Sequence, residues 1–314
     1  MRPSIVLLDA ETLGNDLDLT PLRALGDVTT YHTTMPDERN NRIGNADIVI
    51  TNKVVIDEAT MMRAPKLKLI CVAATGMNNI DLAAAEKLGI AVRNVKGYST
   101  HSVAQHTFAM LFYLLERMEY YAQVTKDGRW SASGLFTDVT HPYHELGALK
   151  WGIIGMGEIG QAVAKLADAF GATVAYHSVS GLNLDQPYLH QPLDVLLETS
   201  DIISVHAPLT DKTYNLIDET NLPLLKDKAI LLNLGRGGIV NETDLAFELD
   251  RREIYAGLDV IETEPIEPTN PLLHIEHPER LLLTPHMAWT SIEARRKLLE
   301  GIVANIKRFL AEVV

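Results

Sequence analysis

Three glycines at fixed spacing, Gly155-Met156-Gly157-Glu158-Ile159-Gly160, stand between a run fit for a strand, Trp151-Gly152-Ile153-Ile154, and a run fit for a helix, Gln161-Ala162-Val163-Ala164-Lys165-Leu166. A buried strand that turns through glycines straight into a helix opens a βαβ unit, which commits this part of the chain to a parallel α/β sheet. In that setting the first glycine permits the tight turn and the second lets a ligand approach the backbone. The third lets helix and strand pack closely, and the helix amino terminus faces the phosphates of a dinucleotide. Three such glycines without that context are as readily a ligand-free turn; here the flanking strand and helix favour the phosphate cradle.

The rest of the pattern agrees. Strand-like runs at residues 151–154, 173–176, 202–205, 229–232, 255–260 and 281–283 supply the six strands of a doubly wound dinucleotide domain. Five more, at 5–8, 28–31, 48–50, 67–72 and 90–92, precede them with helix-length spacing and form a smaller α/β domain. A chain of 314 residues exceeds what one core usually covers, so two domains are expected. Residues 102–121 carry a helical apolar pattern (Val103, Phe108, Ala109, Leu111, Phe112, Leu115), as do residues 291–314 (Leu298, Leu299, Ile302, Ile306, Leu310), and both read as domain-crossing helices.

Composition narrows the partners. With 28 basic against 41 acidic residues the formal charge is −13, which disfavours nucleic acid and anionic membranes and leaves small molecules. No segment approaches the ~20 apolar residues of a membrane span, and Met1-Arg2-Pro3 leads into a strand-like run rather than a signal peptide. The lone Cys71, in an apolar run, reads as a buried thiol in a reducing cytoplasm.

Three apolar runs of the second set end in residues able to do chemistry: 229–232 leads to Arg236, 255–260 to Glu264, and 281–283 to His286. Ligands of open parallel sheets bind outside the carboxyl ends of the strands, so the three side chains can converge on one crevice. A guanidinium offers two parallel donors to a carboxylate, or to carboxylate and carbonyl together, and Gly235, Gly237 and Gly238 leave room for a ligand beside Arg236. Imidazole exchanges protons near neutral pH, which makes His286 the candidate acid and base. A nearby carboxylate would orient that ring and favour imidazolium, but Glu262, Glu264 and Glu267 are all near, and His274 rivals His286. Where an acid would bind the adenosine ribose, the chain reads Tyr176-His177-Ser178-Val179-Ser180. No carboxylate stands there to repel a 2′-phosphate and no arginine to recruit one, so NAD and NADP both stay open.

These features together resemble the D-2-hydroxyacid dehydrogenase family. The resemblance is carried by Asn233-Leu234-Gly235-Arg236-Gly237-Gly238-Ile239-Val240, by Gly257-Leu258-Asp259-Val260-Ile261-Glu262-Thr263-Glu264-Pro265 and by Thr284-Pro285-His286-Met287-Ala288-Trp289, in the family's order. Ser102-Val103-Ala104-Gln105 and the stretch Trp289 to Arg295 look most like its glycerate dehydrogenase (hydroxypyruvate reductase) branch. The resemblance implies a Rossmann-type dinucleotide domain over residues 99–289 and a flavodoxin-like substrate domain over 1–98 and 290–314, the last helix returning to the first domain. It selects Arg236, Glu264 and His286 as catalytic. Gly155, Met156, Gly157, Glu158, Ile159 and Gly160, with His177, Ser178, His206, Ala207, Pro208, Thr213, Leu234, Gly235 and Asp259, match residues that line the cofactor. Asp259 would hold the nicotinamide amide, with capping of local backbone donors as its alternative role. Thr75, Gly76 and Met77 match the loop whose amides hold the substrate carboxylate; Asn79 is undecided, and Trp289 either walls the pocket or simply packs. No metal ligands are assigned. The implied activity is hydride transfer between a nicotinamide cofactor and a small 2-oxo or 2-hydroxy acid, most simply hydroxypyruvate or glyoxylate, in a homodimer. Lactate or phosphoglycerate as substrate is the alternative, and so is a dinucleotide-sensing corepressor of the C-terminal-binding-protein kind, which shares the fold and the three residues.

Overall fold

In the computed structural model, which describes residues 2–313, the chain divides into two compact units, one of residues 1–99 with 290–314 and one of residues 100–289. Val314, at the end of the expected last helix, lies outside the described residues.

The first unit holds β1 (Ser4–Leu7), β2 (Asp27–Thr30), β3 (Ile48–Thr51), β4 (Leu69–Val72) and β5 (Ala91–Arg93) in a parallel sheet of order β2-β1-β3-β4-β5. The central strands read Ile-Val-Ile-Thr and Leu-Ile-Cys-Val without a polar alternation because helices cover both faces, and every residue of β3 and β4 is buried. Cys71 sits in that core, where burial pushes its thiol up to about 12. The short helices start where an acid can take the first unpaired amides: Asp57 accepts from Thr60 N and Asp81 from Ala84 N. The last helix, Ile292–Val313, belongs to this unit, with Leu298, Ile302 and Ile306 fully buried. Leu310, expected on the same stripe, is only half-buried and Phe309 takes the inward position. Arg295 of this helix forks onto both carboxylate oxygens of Asp16, which holds the Asp16 carboxyl below its usual range.

The second unit holds β6 (Lys150–Ile154), β7 (Thr173–His177), β8 (Leu189–His190), β9 (Ile202–Val205), β10 (Ile230–Asn233), β11 (Tyr255–Leu258) and β12 (Leu281–Leu283). All pairings are parallel and the order is β12-β11-β10-β9-β6-β7-β8. Strand order reverses between β6 and β9, the place where open α/β sheets bind ligands. The sheet has seven strands rather than the expected six because β8 is two exposed residues paired with Ala175 and Tyr176, too short to leave an apolar run. The expected helix over 102–121 is two helices, Thr100–Leu115 and Met118–Lys126. Arg117 breaks them apart by adopting left-handed backbone (φ 53°), with its guanidinium stacked 3.8 Å from the ring centre of Tyr255. No helix among the described residues is long and apolar enough to cross a membrane.

Candidate active site

The glycine segment lies between β6 and the helix Glu158–Ala169, at the carboxyl end of the strand beside the topological switch. Gly155 has φ +94°, and a Cβ there would stand 2.7 Å from Ala207 N. A Cβ on Gly160 would stand 2.1 Å from Gly155 O. Those two glycines answer to the protein's own packing. Gly157 does not: its φ is −76° and a Cβ there meets nothing within 4 Å. Open space above a helix amino terminus, kept free by a glycine the fold itself does not need, fits a pyrophosphate. Met156 is buried in the core and so reaches this space only through its backbone, while Glu158 is exposed in the helix's first turn and Ile159 is half-buried.

At the end of β7, His177 Nδ1 lies 3.0 Å from Gln191 O, so this nitrogen carries the hydrogen, and the Ser178 hydroxyl donates to Leu182 O at 2.6 Å. Beyond β9, Thr213 Oγ donates to Pro208 O and accepts from Thr210 N, both at 2.7 Å, which ties down the turn that holds Ala207 and Pro208. His206 Nε2 lies 3.1 Å from Ser204 Oγ, which accepts the Trp151 indole N–H at 2.9 Å. Nδ1 of His206 is sealed from solvent without a hydrogen-bond partner, and burial pushes this ring down to about 3, so it is neutral.

Strands β10, β11 and β12 are neighbours in the sheet, and their carboxyl ends carry the expected trio. Asn233 closes the β10 turn on both sides, donating to Arg236 O at 2.9 Å and accepting from Gly235 N at 3.1 Å. Arg236 is half-buried and folds back to donate to Gly235 O at 2.8 Å. The flanking glycines serve the protein rather than leaving room for a ligand, which corrects that expectation. A Cβ on Gly235 would lie 2.7 Å from Ala207 O and one on Gly237 2.0 Å from Ile261 O, while Gly238 has φ +77°. Leu234 is buried.

Beyond β11 the rival acids sort themselves. Glu264 meets His286 Nδ1 with both oxygens, at 2.9 and 2.7 Å. Glu262 instead accepts the Tyr214 hydroxyl at 3.0 Å, which raises the Tyr214 pKa, and His274 Nε2 bonds Pro268 O at 2.8 Å. A carboxylate can only accept, so Nδ1 of His286 is the donor and Nε2 is left to exchange a proton with a substrate. His286 has left-handed backbone, φ 52°, rare for a non-glycine residue.

Asp259 is 1% exposed, and of the two roles open to it the structure displays capping: Oδ1 accepts from Thr284 Oγ at 2.6 Å and Met287 N at 2.9 Å, and Oδ2 accepts from Ala288 N at 2.9 Å. Trp289 packs half-buried against the second unit's core. Thr75, Gly76 and Met77 follow β4 in the first unit, where Thr75 Oγ donates to Val95 O at 3.2 Å and Asn79 donates to Val54 O at 3.0 Å. Sequence reading missed His106, whose Nε2 lies 3.2 Å from Thr284 Oγ; its signal was a polar pair, Ser102 and His106, one helical turn apart beside an otherwise apolar stripe.

A doubly wound parallel sheet with a glycine turn opening onto a helix amino terminus at its switch point, and a carboxylate-paired histidine at the carboxyl ends of the same sheet, is the arrangement expected of a nicotinamide-dependent dehydrogenase. Residues 108–288 match the family model described as D-isomer specific 2-hydroxyacid dehydrogenase, NAD binding domain. The chain is 37% identical to a hydroxypyruvate reductase of Blautia hydrogenotrophica, over 98% of this chain and 96% of that relative. It is 36% identical to a glycerate dehydrogenase of Methylorubrum extorquens, over 99% and 97%. A crystal structure of the NADPH-dependent glyoxylate/hydroxypyruvate reductase of Sinorhizobium meliloti, with NADP and malonate, superposes with TM-score 0.81 at 26% identity, covering 99% of this chain and 94% of that one. The chain belongs to the D-isomer specific 2-hydroxyacid dehydrogenase family.

Proposed function

We propose that this enzyme reduces a small 2-oxo acid, hydroxypyruvate or glyoxylate, to the D-glycerate or glycolate product. The names of its relatives support the substrate class, and the pairing of Glu264 with His286 Nδ1 at 2.7 Å carries the chemistry. The bound nicotinamide cofactor supplies or accepts the hydride. Arg236 holds the substrate carboxylate and polarises its carbonyl through a planar pair of donors. His286 Nε2 gives the proton to the carbonyl oxygen during reduction and takes it back during oxidation. Glu264 fixes the ring so that Nδ1 faces the protein and Nε2 the substrate. The 75–77 turn keeps its assignment to substrate.

The residues leave both NAD and NADP open, because β7 ends in His177 and Ser178 follows it, with neither the acid that excludes a 2′-phosphate nor a cation that requires one. Leu135, Phe136, Val139 and Tyr143 are exposed by 68, 92, 78 and 55%, an apolar stretch that a second copy of the chain would cover in a homodimer. A single buried cysteine suits a reducing cytoplasm. The test is His286→Ala, assayed with hydroxypyruvate and glyoxylate and each reduced cofactor. Turnover is expected to fall by roughly 10²-fold or more with cofactor affinity nearly intact, the scale of general acid catalysis. Near-normal turnover would overturn the assignment.

A further inference from the structure

The loop that carries His286 is held at more points than a surface turn needs. Asp259 takes the amides of Met287 and Ala288 and the hydroxyl of Thr284. From the other side, the helix Thr100–Leu115 presents Ser102 and His106, one turn apart and so on the same face. Ser102 Oγ donates to Ala288 O at 2.6 Å, and His106 Nε2 lies 3.2 Å from Thr284 Oγ and 3.6 Å from Asp259 Oδ1. The direction of this chain of bonds follows from the chemistry. Thr284 has one hydroxyl hydrogen and gives it to the Asp259 carboxylate at 2.6 Å, so toward His106 it can only accept. His106 must therefore carry its hydrogen on Nε2. Between the pinned residues sits His286, with φ 52° and its amide bonded to Thr284 O at 2.9 Å. An L-residue stays in left-handed backbone only when its surroundings hold it there.

We propose that His106 is a positioning residue for proton transfer: as the Nε2–H donor to Thr284 it completes, with Asp259 and Ser102, the clamp that fixes His286 in its left-handed backbone opposite Glu264. The proposal rests on His286 being the proton donor. His106 touches no reacting atom; it acts through Thr284 on the direction in which Nε2 of His286 points.

The experiment uses the full chain, with steady-state kinetics on hydroxypyruvate and NADH titration followed by fluorescence. His106→Leu is expected to lower kcat roughly tenfold, with the NADH dissociation constant changed less than about twofold, since small misplacement of a reacting group is felt in turnover. His106→Gln, which keeps an N–H donor at similar reach, is expected to recover most of that loss. Should the leucine variant not fold, His106→Asn, too short to reach Thr284, replaces it with the same expectation. Thr284→Val removes the bridge itself, so the double variant with His106→Leu is expected to be no slower than Thr284→Val alone. Wild-type turnover in a folded leucine variant, a glutamine variant no better than leucine, or losses that multiply in the double variant would each overturn the proposal. Should His286→Ala retain turnover, the assignment of His286 fails and the clamp's purpose with it. Should that variant be inactive while His106→Leu is normal, the clamp alone is wrong.

Discussion

Nδ1 of His286 lies within 2.7 and 2.9 Å of the two carboxylate oxygens of Glu264, so the acid fixes which nitrogen faces the protein as well as where the ring sits. Glutamine in place of Glu264 keeps the shape but offers an amide that can also donate, and the ring then loses its fixed tautomer. Glu264→Gln is therefore expected to lower kcat by on the order of 10²-fold or more, within the range that general acid–base catalysis contributes, with cofactor affinity unchanged. Glu262→Gln is the matched comparison: Glu262 is engaged by Tyr214, so turnover is expected to stay close to wild type. Equal losses in the two variants would place the charge partner of His286 elsewhere.

Arg236 raises a different question, whether its charge or its shape matters. The β10 turn holds its backbone through Asn233, and its guanidinium, bonded to Gly235 O, would have to leave that carbonyl to take the proposed substrate carboxylate with both donors. Arg236→Lys retains the charge and loses the two-donor plane. The kcat/KM for hydroxypyruvate is expected to fall by on the order of 10²-fold, with most of the loss surviving at saturating cofactor. A lysine variant as efficient as wild type would make Arg236 a point charge only.

What the sequence made legible follows from where the signals come from. β3 and β4 are unbroken apolar runs because both faces are covered, and the glycines at 155 and 160 are forced by contacts of 2.7 and 2.1 Å that no other residue allows. Such local demands show in the order of residues. β8 was invisible because two exposed residues paired with β7 bury nothing, and the break at Arg117 because its side-chain partner, the ring of Tyr255, is far away in sequence. Choosing Glu264 over Glu262 from residues alone was equally out of reach, since the choice depends on which acid meets Tyr214 and which meets His286. His106 was missed for the same reason: Ser102 and His106 stand out as a polar pair one turn apart, but the partner that gives the pair its meaning, Thr284, lies on another element.

His206 gives a pH dependence with a definite sign. Burial depresses its folded pKa to about 3, whereas an unfolded histidine titrates near ~6.5. Above ~6.5 neither state binds the proton; below it the unfolded chain takes one that the folded chain refuses, so stability falls as pH drops from there toward 3. Asparagine cannot be protonated. The thermal midpoint of cofactor-free His206→Asn is expected to decline less steeply than wild type between about pH 7 and pH 5. Parallel declines would mean that the folded protein lets His206 take the proton.

The glycine cradle allows folding and cofactor binding to be separated. At Gly157, the N-cap of the helix Glu158–Ala169, the backbone is extended (φ −76°, ψ −168°) and a Cβ would meet nothing within 4 Å, so Gly157→Val is expected to lower the stability of the cofactor-free protein only by the cost of valine at an N-cap, on the order of 1 kcal/mol. The added side chain fills the space over the helix amino terminus where the pyrophosphate would lie, so NADH and NADPH are both expected to bind at least roughly tenfold more weakly. Gly160→Ala is expected to do the reverse in the absence of ligand. Its Cβ would fall 2.1 Å from Gly155 O, backbone that cannot give way without moving the turn, so the apo midpoint should drop before any cofactor is added. A valine at 157 that left both cofactor affinities at wild-type values would show that the phosphates do not lie there, and the assignment of this turn as the cradle would be lost.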